Sequence, residues 1–112
     1  MNWTLRFRVV DKDNFDEVRN GLKHIETRAG TPKYQDIAVG DTLTFVCGPE
    51  RLVKRVVKKY HWPSVDAMVE EVDFKKVMPS VGSIEEMKKV YSSYPDYDEK
   101  IREYGLLGFE LE

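Results

Sequence analysis

One short stretch of the sequence brings together three side chains that can bind or activate a polar ligand. Lys23, Glu26 and Arg28 lie within six positions of each other. Successive side chains of a strand point to opposite faces, so Glu26 and Arg28 are expected on one face and Thr27 on the other. Lys23 lies at the turn into this strand and is free to join them. We predict a polar cleft at a sheet edge; the alternative is an exposed strand face with ordinary salt bridges.

These three side chains suit recognition of a nucleobase or a phosphate. Arg28 offers a forked contact to a phosphate or a base edge, and Glu26 can accept from an exocyclic amino group. Lys23 can neutralise a phosphate. The catalytic alternative makes Glu26 the general base for a water molecule, with Lys23 stabilising an oxyanion.

Aromatic side chains and a basic segment add to this prediction. Tyr34, Trp62, Tyr91 or Tyr94 can stack on a base, although Tyr91, on the apolar face of a helix, also fits a core position. A nucleic-acid patch is predicted from five cations within nine residues: Arg51, Lys54, Arg55, Lys58 and Lys59. Such a patch binds phosphates by counterion release, and the alternative is a set of ordinary exposed strand charges.

Composition limits the remaining possibilities. The 112 residues predict a single domain over positions 1–112, and 41% hydrophobic residues suffice for one core. The net charge of -2 gives no overall attraction to nucleic acid, so any such binding must be local. Cys47 stands alone, so neither a disulfide nor a cysteine zinc site is expected, and we predict no metal and no cofactor. Without a signal peptide or a long apolar run, we expect a cytoplasmic protein with no membrane contact.

The periodicity of the chain predicts an α+β fold. Alternating apolar residues mark strands from Trp3 to Val9, from Thr42 to Cys47 and from Leu107 to Leu111. Three valines after the Gly48-Pro49 turn favour a strand with a bulge over residues 52–60, rather than a helix. Helical spacing marks one early helix, with Phe15, Val18 and Leu22 on its apolar face, and later helices capped by Ser64 and Ser83. The first and last strands are expected to close a small mixed β-barrel, with helices packed against one opening.

Several short motifs, in this order, resemble the ASCH domain (activating signal cointegrator homology). They are Gly21-x-Lys23-x-x-Glu26-x-Arg28, Ile37-x-x-Gly40-Asp41-x-Leu43-x-Phe45, Val56-x-x-x-Tyr60, Ser64-x-x-x-Met68, Val77-x-Pro79 and the final Tyr104-Gly105-Leu106-Leu107-Gly108-Phe109-Glu110. The resemblance implies a PUA-like β-barrel with a cleft lined by the Lys/Glu/Arg motif. It also implies RNA or a nucleotide as the partner, although a protein partner for the helical region Ser64–Tyr94 is a third possibility.

The resemblance to the catalytic branch of that family is incomplete. Members include coactivator modules, a ribonuclease and an amidohydrolase that acts on N4-acetylcytidine nucleosides. The amidohydrolases use a threonine nucleophile at the motif's sixth position, where this chain has Glu26, and a glutamate before the second helix, where it reads Met78-Pro79-Ser80-Val81. An RNA- or nucleotide-binding module is therefore the leading prediction, and a small hydrolase acting on a modified nucleoside or on RNA is the alternative.

Overall fold

A five-stranded sheet forms the centre of the computed structural model, which describes all 112 residues. The strands are β1 (Asn2–Phe7), β2 (Ile25–Ala29), β3 (Thr42–Cys47), β4 (Glu50–Trp62) and β5 (Leu106–Leu111). Their order across the sheet is β1-β3-β4-β5-β2. β1 runs parallel to β3, whereas every other pair of neighbours is antiparallel. The fold is therefore a mixed α+β fold, as predicted.

Six α-helices and one 3-10 turn connect and cover these strands. After the 3-10 turn (Val9–Asp11) come α1 (Lys12–Arg19), α2 (Pro32–Gln35), α3 (Val65–Glu71), α4 (Phe74–Val77), α5 (Ile84–Ser93) and α6 (Tyr97–Tyr104). The hydroxyls of Ser64 and Ser83 accept hydrogen bonds from the amides of Ala67 and Glu86, which confirms both predicted caps. None of these helices has the length and apolar character required to cross a membrane.

Two predicted boundaries are wrong around the first helix. Val9 lies in the 3-10 turn rather than in β1 and is exposed. Leu22 is exposed as well, because α1 already ends at Arg19. Gly21 then takes a left-handed φ of 76°, which turns the chain away from the helix axis before Leu22. The helical spacing of Leu22 relative to Val18 was therefore not a sign of burial.

The predicted strand with a bulge is confirmed in β4. Its pairing with β5 shifts register between Val56 and Lys58, so one extra residue lies in β4 at this point. Because side chains alternate along a strand, the extra residue changes which face the following side chains occupy. Val56 accordingly packs in one hydrophobic cluster, whereas Tyr60 and Trp62 pack in the other.

Two hydrophobic clusters hold the sheet and the helices together. The first, which α1 covers, consists of Leu5, Phe15, Val18, Ile37, Leu43, Phe45, Cys47, Val56, Leu107 and Phe109. The second consists of Ile25, Ala29, Tyr60, Trp62, Met68, Val77, Met78, Met87, Tyr91, Ile101 and Leu106, and includes residues of α3 to α6. Both faces of β5 are buried, since Leu107 and Phe109 belong to the first cluster and Leu106 to the second.

The predicted closure of a barrel by the first and last strands is wrong. β5 lies between β4 and β2, and β1 pairs with β3 alone, so β1 and β2 are the two free edges. The sheet curls into a half-barrel that stays open between these edges. A guanidinium nitrogen of Arg28 on β2 donates to the backbone oxygen of Arg6 on β1 at 3.3 Å. A side chain thus bridges the opening where a ladder of backbone hydrogen bonds would close a full barrel.

Candidate ligand-binding cavity

A cavity of about 170 Å³ lies in the opening between β1 and β2. Its lining combines residues of both edge strands with residues of the helices: Arg6, Phe7, Arg8, Asp11, Asn14, Lys23, Glu26, Thr27, Arg28, Met78, Tyr91, Tyr94, Pro95 and Tyr97. An engineered protein cavity of about 150 Å³ accommodates benzene. The cavity is therefore the size of a single ring.

The three side chains of the predicted cleft come together in this cavity. Lys23 Nζ lies 3.1 Å from Glu26 Oε1, and Arg28 Nη2 lies 3.4 Å from Glu26 Oε2. We call these residues the buried triad, because Glu26 is only 2% exposed and the side chains of its two partners are 5% and 12% exposed. The alternative of an exposed strand face with surface salt bridges does not fit this burial.

Glu26 retains an unused hydrogen-bonding position. Its Oε1 atom accepts from the backbone amide of Thr27 at 3.0 Å and also faces Lys23. Its Oε2 atom accepts only from Arg28, at the long distance of 3.4 Å. Each oxygen of an ionised carboxylate can accept about two hydrogen bonds. Oε2 can therefore accept from a donor group of a ligand in the cavity.

The two cations decide the protonation state of Glu26. Burial by itself would raise the pKa of its carboxyl group, but Lys23 and Arg28, together with the Thr27 amide, outweigh burial and lower the pKa below its ordinary value. Burial acts against the charged form of Arg28 too, and the Glu26 carboxylate overcomes it and raises the pKa of Arg28. Glu26 is thus ionised at neutral pH, and a carboxylate with a lowered pKa is a weak general base.

This lowered pKa predicts a specific response to acid. A carboxyl group whose pKa is lower in the folded than in the unfolded protein stabilises the fold above the unfolded pKa, about 4.3 for glutamate. That stability is lost as pH falls through the folded pKa. We expect the free energy of unfolding in urea to fall more steeply below about pH 4.5 in the wild type than in Glu26→Gln. Parallel curves for the two proteins would contradict this prediction.

Three tyrosines form the aromatic wall of the cavity. The rings of Tyr91 and Tyr97 are parallel within 9° at 6.4 Å, and the Tyr94 ring stands edge-on to Tyr97 at 5.2 Å. The hydroxyls of Tyr91 and Thr27 share a hydrogen bond. Burial raises the pKa of Tyr94 to about 12 and also raises those of Tyr91 and Tyr97, so all three phenols are neutral. They provide ring surfaces and neutral hydroxyls against which a planar ligand can pack.

Other residues of the predicted site occupy different places. Thr27, which was expected to face away, lines the cavity, because the cavity lies at the free edge of β2 and is open to both faces of the strand. Trp62 is a core residue: its ring stacks on Tyr60 at 4.8 Å and its indole nitrogen donates to Glu71. The predicted stacking of Trp62 on a ligand base does not fit this position. Tyr34 is not part of the cavity lining, and its ring centre lies 5.8 Å from the guanidinium of Arg28.

The five cations of the predicted nucleic-acid patch do not share one surface. Lys54 and Lys59 pair with the core residues Leu43 and Phe109 and therefore point to the same face of the sheet as these residues. The other three cations of the patch point to the other face. Several are also engaged within the protein. Arg55 forms a two-pronged ion pair with Glu112, and the Lys59 ammonium donates to the backbone oxygen of Gln35. Strand alternation therefore divides the patch between the two faces of the sheet, on both sides of the bulge in β4.

Sequence reasoning missed several residues of the cavity lining. Arg6, Phe7 and Arg8 come from the end of β1 and the residue after it, and Tyr97 comes from the start of α6. The only available signal was the pair of cations on either side of Phe7, and a local pattern does not show which other strand such a pair will face. No group of three or more histidine, cysteine or acidic side chains is arranged to hold a metal ion.

Comparison with known proteins places the whole chain in a family. No protein-family model matches the sequence, and no curated protein matches it. The crystal structure of hypothetical protein PH0355 is 30% identical over 100% of this chain and 98% of that one, with a TM-score of 0.87. This chain belongs to the PH0355 family. The solution structure of PF0455 from Pyrococcus furiosus is also similar, with 29% identity over 100% of this chain and 96% of that one, and a TM-score of 0.79.

The PH0355 family likeness includes the part of the molecule that carries the cavity. Because the match covers the full length of this chain, the curled sheet and the helices that line the opening all lie within the shared fold.

Proposed function

We propose that this protein is an ASCH-type, PUA-like module that binds RNA or a nucleotide, and that the buried triad recognises a nucleobase. One observation carries the proposal: an ionised, buried carboxylate with a free acceptor position lies between two cations in a cavity of single-ring size. Burying such a charged group is costly, and an isolated salt bridge in this place would be weak support for the fold. A ligand that uses the free position explains why the group lies at the cavity wall. The proposed site of action is the cytoplasm.

The chemistry of the triad specifies which edge of a base would be read. Glu26 Oε2 can accept from an exocyclic amino group, as carboxylates do with cytosine. Lys23 has Glu26 as its only ion-pair partner, so its ammonium retains donors for the ring nitrogen beside that amino group. Cytosine and adenine both present this neighbouring donor and acceptor. The tyrosine wall would pack against the face of the ring.

The two alternative functions have less support. A hydrolase that uses Glu26 as general base would need a carboxylate of higher pKa than the paired Glu26. The Thr27 hydroxyl is bonded to the neutral phenol of Tyr91, which is no base at neutral pH. A protein-interaction surface on the helices would need exposed apolar side chains, and within residues 64–94 the only exposed large hydrophobic residue is Ile84.

Matched pairs of nucleosides test the proposal. Uridine differs from cytidine, and inosine from adenosine, by a carbonyl oxygen in place of the amino group. We expect cytidine or adenosine to bind roughly 10- to 100-fold more tightly than its partner, because the carbonyl would face the Glu26 carboxylate without a hydrogen. Isothermal titration calorimetry and thermal shift measure this difference. Equal affinity within both pairs would contradict the proposed role of the buried triad, and no binding of any nucleoside would contradict the proposed function.

A further inference from the structure

The charges on the cavity wall do not balance. Four cations line the cavity, and only two carboxylates accompany them. Asp11 already accepts a hydrogen bond from Arg8, at 2.7 Å. Glu26 is shared between Lys23 and Arg28, so the buried triad keeps one uncompensated positive charge. The fourth cation, Arg6, forms no ion pair within the protein. A surplus of positive charge in a partly enclosed site favours an anionic ligand.

Burial distinguishes the floor of the cavity from its mouth. Lys23, Glu26 and Tyr91 are buried and form the floor. Arg6 and Arg8 are exposed and lie at the mouth. The backbone oxygen of Arg6 accepts a hydrogen bond from Arg28, which places Arg6 beside the outer end of the buried triad. An unpaired guanidinium therefore stands where a group that emerges from the floor of the cavity would meet solvent.

We infer that the ligand, if the cavity binds a nucleobase as proposed, is a nucleoside monophosphate whose ring lies at the floor and whose phosphate binds Arg6 at the mouth. A phosphate at the floor would face the ionised Glu26 carboxylate, whereas at the mouth it meets a guanidinium without a partner. Guanidinium groups bind phosphate through two parallel N–H donors. The exposed mouth also lets the phosphate keep part of its hydration, which lowers the cost of desolvation.

The test compares each nucleoside with its 5′- and 3′-monophosphates in three proteins. Arg6→Gln removes the guanidinium at the mouth, and Arg102→Gln is the matched control, because Arg102 is an exposed arginine of α6 outside the cavity lining. In the wild type and in Arg102→Gln, we expect a monophosphate to bind roughly 10- to 100-fold more tightly than its nucleoside. Arg6→Gln should abolish this gain, so that a monophosphate and its nucleoside bind this variant about equally tightly. Calorimetry at two salt concentrations should show that the gain shrinks as salt increases.

The outcomes separate this inference from the proposed function. Nucleosides that bind as tightly as monophosphates would overturn the phosphate site and leave base recognition standing, whereas no binding of either would overturn the proposed function. The inference would also be overturned if the tighter binding of the monophosphate relative to its nucleoside persisted in Arg6→Gln and disappeared in Lys23→Met. That result would place the phosphate at the floor of the cavity. A short RNA that competes with the monophosphate identifies a unit of an RNA strand as the ligand, and one that fails to compete identifies a free nucleotide; both results support the phosphate site.

Discussion

Replacing Glu26 by alanine is expected to lower the free energy of unfolding by about 3–5 kcal/mol, because it leaves two buried cations without a counter-charge. Lys23 and Arg28 have no other carboxylate partner in the structure. For a domain of about 100 residues, this loss corresponds to a fall in Tm of roughly 15–30 °C. Urea denaturation at neutral pH, followed by circular dichroism, measures the change.

Glu112→Ala is the control for this experiment. Glu112 also pairs with an arginine, Arg55, through two contacts of 2.8 and 3.1 Å, but both side chains are more than half exposed. Exposed pairs contribute about 0–1 kcal/mol, so we expect a small change. Similar losses in Glu26→Ala and Glu112→Ala would show that the burial of the triad has no energetic consequence.

Glu26→Gln is expected to change which nucleobase the protein prefers. The amide keeps the shape of the side chain and one acceptor oxygen but loses the charge, so affinity for cytidine or adenosine should fall by about 1.5–3 kcal/mol, or one to two decades. Its new N–H group can donate to the carbonyl oxygen of uridine or inosine. The preference for the amino-bearing base should therefore disappear or reverse, which calorimetry with the four nucleosides measures.

The same substitution separates binding from catalysis. A hydrolase that depends on Glu26 as general base should lose at least about a hundredfold in turnover, while a binding module keeps measurable affinity. If Glu26→Gln bound every nucleoside as tightly as the wild type and kept any hydrolytic activity that the wild type has, the buried triad would contribute to the fold alone.

The central part of the site could be predicted from the sequence because it depends on local rules. Strand alternation predicts that Glu26 and Arg28 share a side, and the turn at Gly21 predicts that Lys23 can join them. Valine content and a preceding turn similarly predicted β4 and its bulge. Each of these predictions concerns residues within about ten positions of one another along the chain.

The rest of the site depends on contacts between distant parts of the chain. Arg6 faces Arg28 only because β1 and β2 are the two free edges of a curled sheet, an order that no local pattern indicates. The wrong prediction of a closed barrel has the same origin, since it assumed that the first and last strands pair. Thr27 was misplaced because alternation describes the two faces of a strand and takes no account of its free edge.

The bulge in β4 affects how the protein unfolds. Before the bulge, the strand contributes Val56 to one core, and after it the strand contributes Tyr60 and Trp62 to the other. The same strand pairs with β3 along its first half and with β5 along its second. Because both clusters contain side chains of β4, neither cluster can open without displacing backbone to which the other is attached. The two hydrophobic clusters are thus mechanically coupled. Amide hydrogens of β4 before and after the bulge should exchange with solvent only when the whole molecule unfolds.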